Sequence, residues 1–373
     1  MTIAIKHVED LTAGDKSAIS PTRCARSGHL SRDLSHYPLP GTPLALSWAT
    51  ERWPIAGTFA ISRGAKTEAL VVVAELRDRD GRLGRGECVP YARYGETADS
   101  VTAAIEAMRA ALAAGLDRTG LQTAMPAGAA RNALDCAYWD LEAKRAGRPT
   151  HELAGLEPPH PLTTAFTISL ADPAAMAQAA SKAAGRPLLK IKLGGDTVGG
   201  GDPARIKAVR AAAPDATLIV DANEGWSEDN LPGHLDACAE AGVVLVEQPL
   251  PEGRDDALAG MARPIPICAD ESVHDRASLG GLIGKYDAVN IKLDKTGGLT
   301  EALAMADAAA RQGFILFTGC MVATSLSMAP AMLVAQAGRF TDLDGPLLLS
   351  RDRDHGLRYD GSRVYPADPA LWG

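Results

Sequence analysis

The sequence predicts an α/β protein in which a (β/α)8-type, TIM-like barrel follows an α+β capping domain. Three observations support this prediction. From about residue 162 onward, short apolar runs alternate with helical segments eight times, and successive strand ends lie 22 to 29 residues apart. Before that point, three strand-like runs precede long alanine-rich helical stretches, as in an α+β unit. The length of 373 residues suits a single barrel with additions.

Composition and charge argue against several classes of protein. With 46% hydrophobic and 23% charged residues, the chain has the mix of a globular protein with a large core. The formal net charge of −8 argues against a nucleic-acid partner, which requires a basic surface. No apolar run approaches the roughly 20 residues of a membrane span, so no membrane partner is expected. The six cysteines form no Cys-x-x-Cys pair, which indicates reduced thiols and a cytoplasmic enzyme.

The segment before the periodic part differs from the rest of the chain. Residues 1–45 show neither a sustained apolar period nor the apolar run of a secretory signal, so we expect a poorly ordered extension. The capping domain then begins near Leu46. Its strands are expected at 46–57, 67–76 and 82–89, and its helices at 97–115 and 127–146.

The eight barrel strands are expected at 163–170, 188–193, 217–223, 243–249, 265–272, 288–294, 314–319 and 339–344. Each of the first seven is followed by a segment that suits a helix. A doubly wound open sheet is the competing architecture, but it needs fewer units and usually shows a phosphate-binding glycine loop. The glycine-rich segment 194–202 lacks the G-x-G-x-x-G order, and we interpret it as a flexible loop.

Lysines occupy two of the expected strands. Because alternate residues of a barrel strand point inward, the run LLKIKL directs Lys190 and Lys192 toward the barrel axis. The run AVNIKLD directs Asn290, Lys292 and Asp294 inward by the same reasoning. Lys295 lies one step further with the opposite parity, and we expect it in a loop.

The three strands between these two end in carboxylates, namely Asp221, Glu247 and Asp270. A charge inside a barrel is costly to desolvate unless it is paired or bound to a metal. Mutual neutralisation with the lysines is the structural alternative. Five charged residues at the carboxyl ends of consecutive strands, where barrel enzymes have their active sites, favour a functional cluster instead. Such hard oxygen ligands suit Mg²⁺ and leave coordination positions for a substrate.

This cluster predicts proton transfer next to a carboxylate. A substrate carboxylate bound to Mg²⁺ has an acidified α-proton, because the metal stabilises the enediolate that deprotonation forms. A lysine near other cations has a lowered pKa and can act as the base. One lysine on each face of the α-carbon predicts racemisation or epimerisation, whereas a single base favours elimination or cycloisomerisation.

These motifs resemble those of the enolase superfamily and, within it, the muconate lactonizing subgroup. The matching segments are KIK with Lys190 and Lys192, IVDAN with Asp221, VEQPL with Glu247, ADES with Asp270 and NIKLDKTGG with Lys292. The resemblance covers about residues 46–373. It implies an enolase-like architecture, with a capping domain over 46–160 that is completed by 346–373, and a barrel over 161–345.

Further segments resemble the bacterial dipeptide epimerases that act on L-Ala-D/L-Glu. These segments are ISRGAKTEA, GECVPYARYGE, PAGAARNALDCAYWDLEA and VNIKLDKTGGLTEAL. The eighth strand ends in Asp342-Leu343-Asp344, and in that family such an Asp-x-Asp pair holds the α-ammonium group of the substrate. An anion pair that faces a buried site does need a cationic partner.

The resemblance also implies the role of each residue. Lys192 and Lys292 would be the acid–base pair, and Lys190 would hold the substrate carboxylate and stabilise the enolate. Asp221, Glu247 and Asp270 would bind one Mg²⁺ per subunit. The substrate would be an Ala-Glu dipeptide from peptidoglycan turnover, inverted at its C-terminal residue by two-base 1,1-proton transfer. A homo-oligomer is compatible with this family.

The sequence indicates less clearly which residues recognise the side chain of the substrate. Arg63 lies in the capping-domain loop that closes over the barrel mouth in this superfamily, and it suits the distal carboxylate of a glutamyl side chain. Arg93 is the other candidate. Cys320 and Met321 are expected to shape the pocket together with Tyr94. Cys320 is disfavoured as a nucleophile, because no histidine between residues 275 and 354 could activate it.

Four alternative functions are less favoured. Acid-sugar dehydration is disfavoured, because the histidine–aspartate pair of those subgroups is missing near the sixth and seventh strands. N-acylamino acid racemisation and o-succinylbenzoate synthesis use the same lysine pair, but Asp342 and Asp344 argue against substrates without a free α-ammonium group. A non-catalytic barrel that only binds a ligand is disfavoured by the complete set of charged residues.

Overall fold

The computed structural model describes residues 41–195 and 200–373. The strands are β1 (Ala45–Ile61), β2 (Gly64–Arg77), β3 (Leu83–Cys88), β4 (Leu162–Thr163), β5 (Phe166–Ile168), β6 (Leu188–Lys192), β7 (Thr217–Asp221), β8 (Val243–Glu247), β9 (Ile267–Ala269), β10 (Ala288–Ile291), β11 (Ile315–Thr318), β12 (Phe340–Thr341), β13 (Tyr359–Asp360) and β14 (Arg363–Val364). The α-helices are α1 (Ala98–Ala107), α2 (Arg109–Ala113), α3 (Arg118–Ala124), α4 (Ala129–Ala146), α5 (Thr150–Leu153), α6 (Pro173–Lys182), α7 (Gly201–Ala212), α8 (Leu231–Glu240), α9 (Leu293–Thr296), α10 (Leu299–Arg311), α11 (Ser325–Ala335) and α12 (Gly345–Leu348). The extension expected over residues 1–45 falls mostly on residues 1–40, which lie outside the described part.

The capping domain is an antiparallel sheet, in the order β1-β2-β3, packed against α4. Strand β1 is longer than expected, and its register with β2 shifts between Pro54 and Phe59, since a proline offers no N–H to the ladder. Helix α4 lies directly on β3 because two glycines leave room for it. A Cβ on Gly84 or Gly86 would lie 2.1 Å from a carbonyl oxygen of α4.

The predicted barrel is confirmed. Strands β5 to β12 are parallel and neighbour one another in chain order, and Ala165 N donates to Thr341 O at 2.8 Å, which joins the first strand to the last. One apolar residue from each strand, or from the position just before it, fills the lower interior. This apolar layer consists of Ala165, Leu188, Ile219, Leu245, Cys268, Ala288, Phe317 and Phe340.

Two of the expected helices are absent from the described structure. The fourth and fifth barrel strands are followed by 3-10 segments, Asp256–Leu258 and Arg276–Leu282, so the expectation of a helix after each strand is wrong there. Prolines at 251, 264 and 266 disfavour a helix in the first case, and glycines at 280 and 281 in the second. The loop expected over 194–202 includes residues 196–199, which lie outside the described part, and α7 already begins at Gly201.

The C-terminal tail joins the capping domain to the barrel. Glu87 in β3 accepts hydrogen bonds from Thr324 N at 2.8 Å and from Arg353 Nη2 at 2.6 Å. Burial raises the pKa of Glu87, and the charge of Arg353 opposes that rise. Trp372 Nε1 donates to Cys136 O in α4 at 3.1 Å. Within the described ranges, no helix is both long enough and apolar enough to cross a bilayer.

The Glu87–Arg353 pair gives a prediction about stability. Arg353→Met leaves a fully buried carboxylate unpaired, which we expect to lower the free energy of unfolding by about 3–5 kcal/mol at pH 8. A carboxyl whose folded-state pKa is raised binds more protons in the folded than in the unfolded chain, so this loss should shrink toward pH 5. Urea unfolding at pH 8 and at pH 5 measures the free energy of unfolding of the variant and of the wild type. Arg351→Met, on the exposed part of the same tail, is the control, and equal losses in the two variants would contradict the prediction.

Candidate active site

A polar layer lies directly above the apolar layer of the barrel. Each of its members follows an apolar-layer residue by two positions, because alternate residues of a strand share one side. Seven of the eight positions carry a buried polar side chain, and these residues are Thr167, Lys190, Asp221, Glu247, Asp270, Asn290 and Asp342. The eighth position is Gly319, and a Cβ there would lie 2.6 Å from Asn290 Oδ1. That glycine therefore leaves room for Asn290, whose Nδ2 donates to Glu247 Oε1 at 2.7 Å.

The three carboxylates predicted to bind a metal lie together at the ends of β7, β8 and β9. One oxygen from each of Asp221, Glu247 and Asp270 lies within 4.8 Å of the other two. Three carboxylate oxygens at this separation would hold one Mg²⁺ ion, which prefers oxygen ligands. Burial, followed by the charge of Asp221, raises the pKa of Glu247 to about 7. A buried, all-oxygen set whose charges repel one another fits a hard divalent cation.

Lys190 lies among the carboxylates rather than beside them. Its Nζ is 2.7 Å from Glu247 Oε2, 2.9 Å from Asp342 Oδ2 and 3.3 Å from Asp221 Oδ2. Burial acts to lower the pKa of Lys190, but the surrounding carboxylates outweigh it and raise this pKa well above its usual range. Lys190 is therefore a permanent cation.

Lys192 and Lys292 lie on opposite sides of the barrel, because Lys192 ends the second of its eight strands and Lys292 directly follows the sixth. Lys192 Nζ is 2.6 Å from Asp221 Oδ2, and Lys292 Nζ is 2.6 Å from Asp270 Oδ2. The expectation of a lowered lysine pKa does not hold for Lys292 in this arrangement: burial acts to lower its pKa, but the Asp270 carboxylate raises it above its usual range. The two ammonium groups thus flank the carboxylates from two sides.

Two expectations for residues beyond β10 are wrong. Asp294 does not face the barrel axis, since it accepts hydrogen bonds from Val89 N and Asn132 Nδ2 of the capping domain. Lys295 is not in an open loop, since its buried Nζ donates to Asp270 Oδ1 at 2.5 Å and to Asn290 O at 2.9 Å. The strand ends at Ile291 and the chain enters α9, so a helical period replaces the alternation of a strand.

The Asp-x-Asp pair lies at the mouth beside Lys190. Asp342 Oδ2 contacts Lys190, while its Oδ1 is buried and has no hydrogen-bond partner among the described residues. Asp344 Oδ2 accepts a hydrogen bond from Thr167 N at 2.6 Å. Burial, followed by the charge of Asp342, raises the pKa of Asp344 to about 7. A pair of this kind suits a cationic group that brings N–H donors.

Both candidate arginines pair with carboxylates of the barrel. Arg63, in the turn between β1 and β2, donates to Asn223 O at 2.8 Å and to Glu271 Oε1 at 2.6 Å. Arg93 makes two hydrogen bonds of 2.7 Å to Glu224. The sequence reasoning missed these two glutamates, although each follows a predicted metal ligand by one or three positions. Contact of either arginine with a substrate carboxylate stays a prediction.

Cys320 and Met321 are the remaining residues that were expected to shape the pocket. Cys320 and Met321 follow Gly319 and are partly exposed. Burial, followed by the charges of Asp342 and Asp344, raises the pKa of the Cys320 thiol well above its usual range, which disfavours a thiolate nucleophile.

Comparison with known proteins identifies the family. Residues 45–155 match the model described as "Mandelate racemase / muconate lactonizing enzyme, N-terminal domain", and residues 172–368 match "Enolase C-terminal domain-like". The L-Ala-D/L-Glu epimerase of Escherichia coli (strain K12) is 48% identical over 317 residues, which is 84% of this chain and 97% of that protein. The N-acetyl-D-glutamate racemase of Pseudoalteromonas sp is 43% identical over 305 residues, which is 81% of this chain and 95% of that protein.

A solved structure is also similar to the whole described fold. It is an enolase family member from Agrobacterium tumefaciens with homology to dipeptide epimerases, with bound sodium, L-Ala-L-Glu and an ordered loop. It is 57% identical, with a TM-score of 0.85, and the match covers 89% of this chain and 100% of that one. The predicted resemblance is confirmed, and the chain belongs to the mandelate racemase / muconate lactonizing enzyme family of the enolase superfamily.

Proposed function

We propose that the protein is a Mg²⁺-dependent dipeptide epimerase, an isomerase that inverts the C-terminal residue of L-Ala-D/L-Glu. The observation that carries this proposal is the placement of Lys192 and Lys292 on opposite sides of one carboxylate cluster. Two buried lysines that face the same space from opposite directions suit removal of a proton from one face and its return to the other. The relatives from Escherichia coli and Agrobacterium tumefaciens support the dipeptide as substrate.

Each residue of the site has a separate role in the proposed reaction. When bound by Asp221, Glu247 and Asp270, Mg²⁺ would supply positive charge that stabilises the negative charge developing on the substrate carboxylate. Lys190, which is held as a cation by three carboxylates, would help to hold the substrate carboxylate and to stabilise the negative charge of the enolate. Lys192 and Lys292 would exchange roles as base and acid, according to which epimer is bound. Asp342 and Asp344 would hold the α-ammonium group and so fix the orientation of the dipeptide.

We also propose that the dipeptide comes from peptidoglycan turnover and that the enzyme works in the cytoplasm. The supporting observations are the likeness to L-Ala-D/L-Glu epimerases and the free cysteines at positions 88, 136, 238, 268 and 320.

Proton exchange in D₂O tests the activity directly. With Mg²⁺ and L-Ala-L-Glu, we expect proton NMR to show loss of the glutamyl α-proton and appearance of the D-epimer. Removal of the metal with EDTA should stop both changes, and Mg²⁺ should restore them. Retention of the α-proton in the loaded enzyme would contradict dipeptide epimerisation.

The two lysines should show opposite losses. Lys192→Ala should slow exchange of the α-proton from one epimer by about 10²–10⁴-fold, and Lys292→Ala should slow exchange from the other epimer by a similar factor. Lys207→Ala, on the exposed face of α7, is the control and should leave exchange unchanged. Exchange from both epimers in both active-site variants would contradict the two-base assignment.

N-acylamino acid racemisation is the second candidate, and the Pseudoalteromonas relative favours it. The two activities differ in the free ammonium group, which only the dipeptide offers to Asp342 and Asp344. If the dipeptide is the substrate, Asp344→Asn should lower kcat/KM for L-Ala-L-Glu by about ten- to a hundredfold, because a charge-assisted hydrogen bond is lost. The value for N-acetylglutamate should change far less. An equal loss for both substrates would remove the ammonium-binding role.

A further inference from the structure

Backbone conformations with a positive φ, glycines aside, are concentrated in the segments that directly follow Asp221 and Glu247. Among the described residues other than glycine, four have a positive φ, and three of them follow predicted metal ligands. The three residues after the ligands are Asn223 (φ 44°), Glu224 (φ 65°) and Gln248 (φ 35°). The fourth residue, His355, lies elsewhere in the chain. Such conformations persist only where the surroundings impose them, and they cluster at functional sites.

Gln248 is fully buried, and its side chain reaches from the end of β8 to the end of β9. Its Oε1 accepts hydrogen bonds from Asp270 N at 2.8 Å and from Ser272 N at 3.1 Å. Its Nε2 lies within hydrogen-bonding distance of Leu250 O, Ser272 Oγ and Tyr286 OH, at 2.8 to 3.0 Å. Both ends of the amide are therefore engaged, which fixes its orientation.

The backbone of Gln248 connects the ends of β7, β8 and β9. Its N–H donates to Cys268 O at 2.9 Å, and its carbonyl accepts from Glu224 N at 2.9 Å. The ladder between β8 and β9 ends at the pair Glu247 and Cys268. Asp270 lies beyond that ladder, so its N–H bonds to the Gln248 side chain in place of a strand neighbour.

We propose that Gln248 is a positioning residue that fixes Asp270 relative to Glu247 and Asp221 and so sets the spacing of the metal ligands. Gln248 acts through Asp270 and makes no contact with the reacting atoms. An amide suits this position because it accepts from two N–H groups and donates to neighbouring oxygens at once. The inference rests on the Mg²⁺ site of the proposed function.

The test compares two Gln→Met variants in the full-length protein. Gln248→Met should raise the dissociation constant for Mg²⁺, measured by titration calorimetry, by about 10–100-fold, as for other residues that orient metal ligands. Gln336→Met removes an amide that bonds to His160 and Met332 at the end of α11, away from the carboxylates, and should leave the constant unchanged. In the metal-free protein, amide hydrogen exchange at Asp270 and Ser272 should accelerate only in Gln248→Met. At saturating Mg²⁺, kcat should recover toward the wild-type value.

A milder variant guards against a failure to fold. Tyr286→Phe removes one partner of Gln248 Nε2 and keeps the ring, so the dissociation constant for Mg²⁺ should rise by about two- to tenfold. Unchanged Mg²⁺ affinity in folded Gln248→Met, or in Tyr286→Phe if the first variant does not fold, would overturn the positioning role. Absence of Mg²⁺ binding in the wild type would instead overturn the metal site of the proposed function.

Discussion

The rest of the structure depends on the burial of many charges at one end of the barrel. Five carboxylates (Asp221, Glu247, Asp270, Asp342 and Asp344) and four lysines (Lys190, Lys192, Lys292 and Lys295) are all nearly inaccessible to solvent. Removing charges from water is costly, and contacts between opposite charges offset part of that cost. One negative charge remains in excess in the formal count. This excess leaves the cluster suited to further positive charge, as a divalent cation or an ammonium group would supply.

The capping domain is linked to this cluster through the backbone of one residue, Asn223. Ser62 Oγ and Arg63 Nη1 both donate to Asn223 O, at 2.9 and 2.8 Å. The N–H of Asn223 in turn donates to Asp221 Oδ1 at 2.9 Å. The backbone of Asn223 thus contacts both a predicted metal ligand and the capping hairpin, which is the β1–β2 hairpin with its turn at Ser62 and Arg63. The position of the hairpin and the orientation of Asp221 are therefore physically coupled.

Much of the barrel could be predicted because its strands keep a strict two-residue period. Each pair of inward positions, such as Leu188 and Lys190, places an apolar residue below a polar one, and this pattern is visible in the sequence. The interpretation failed where the period changes. Lys295 follows Lys292 by three positions, which is one turn once the chain becomes helical.

Contacts between distant segments could not be predicted from the sequence. The partners of Arg63 and Arg93 depend on how the capping domain lies on the barrel, and no local pattern specifies that arrangement. Gln248 was missed for a different reason. It has the outward parity and is neutral, so its sequence gives no sign that its amide crosses to the next strand.

The four lysines carry the same ammonium group, but their surroundings give them different roles. Lys190 and Lys295 have side chains only 1% exposed, and each contacts several fixed acceptors, so neither is free to give up a proton and take it back. The side chains of Lys192 and Lys292 are 9% and 7% exposed, and each contacts one carboxylate. A proton can be exchanged only by an ammonium group that reaches the open side of the cluster. That requirement selects the two lysines on opposite strands, and it favours a two-sided proton transfer over any reaction that needs a single base.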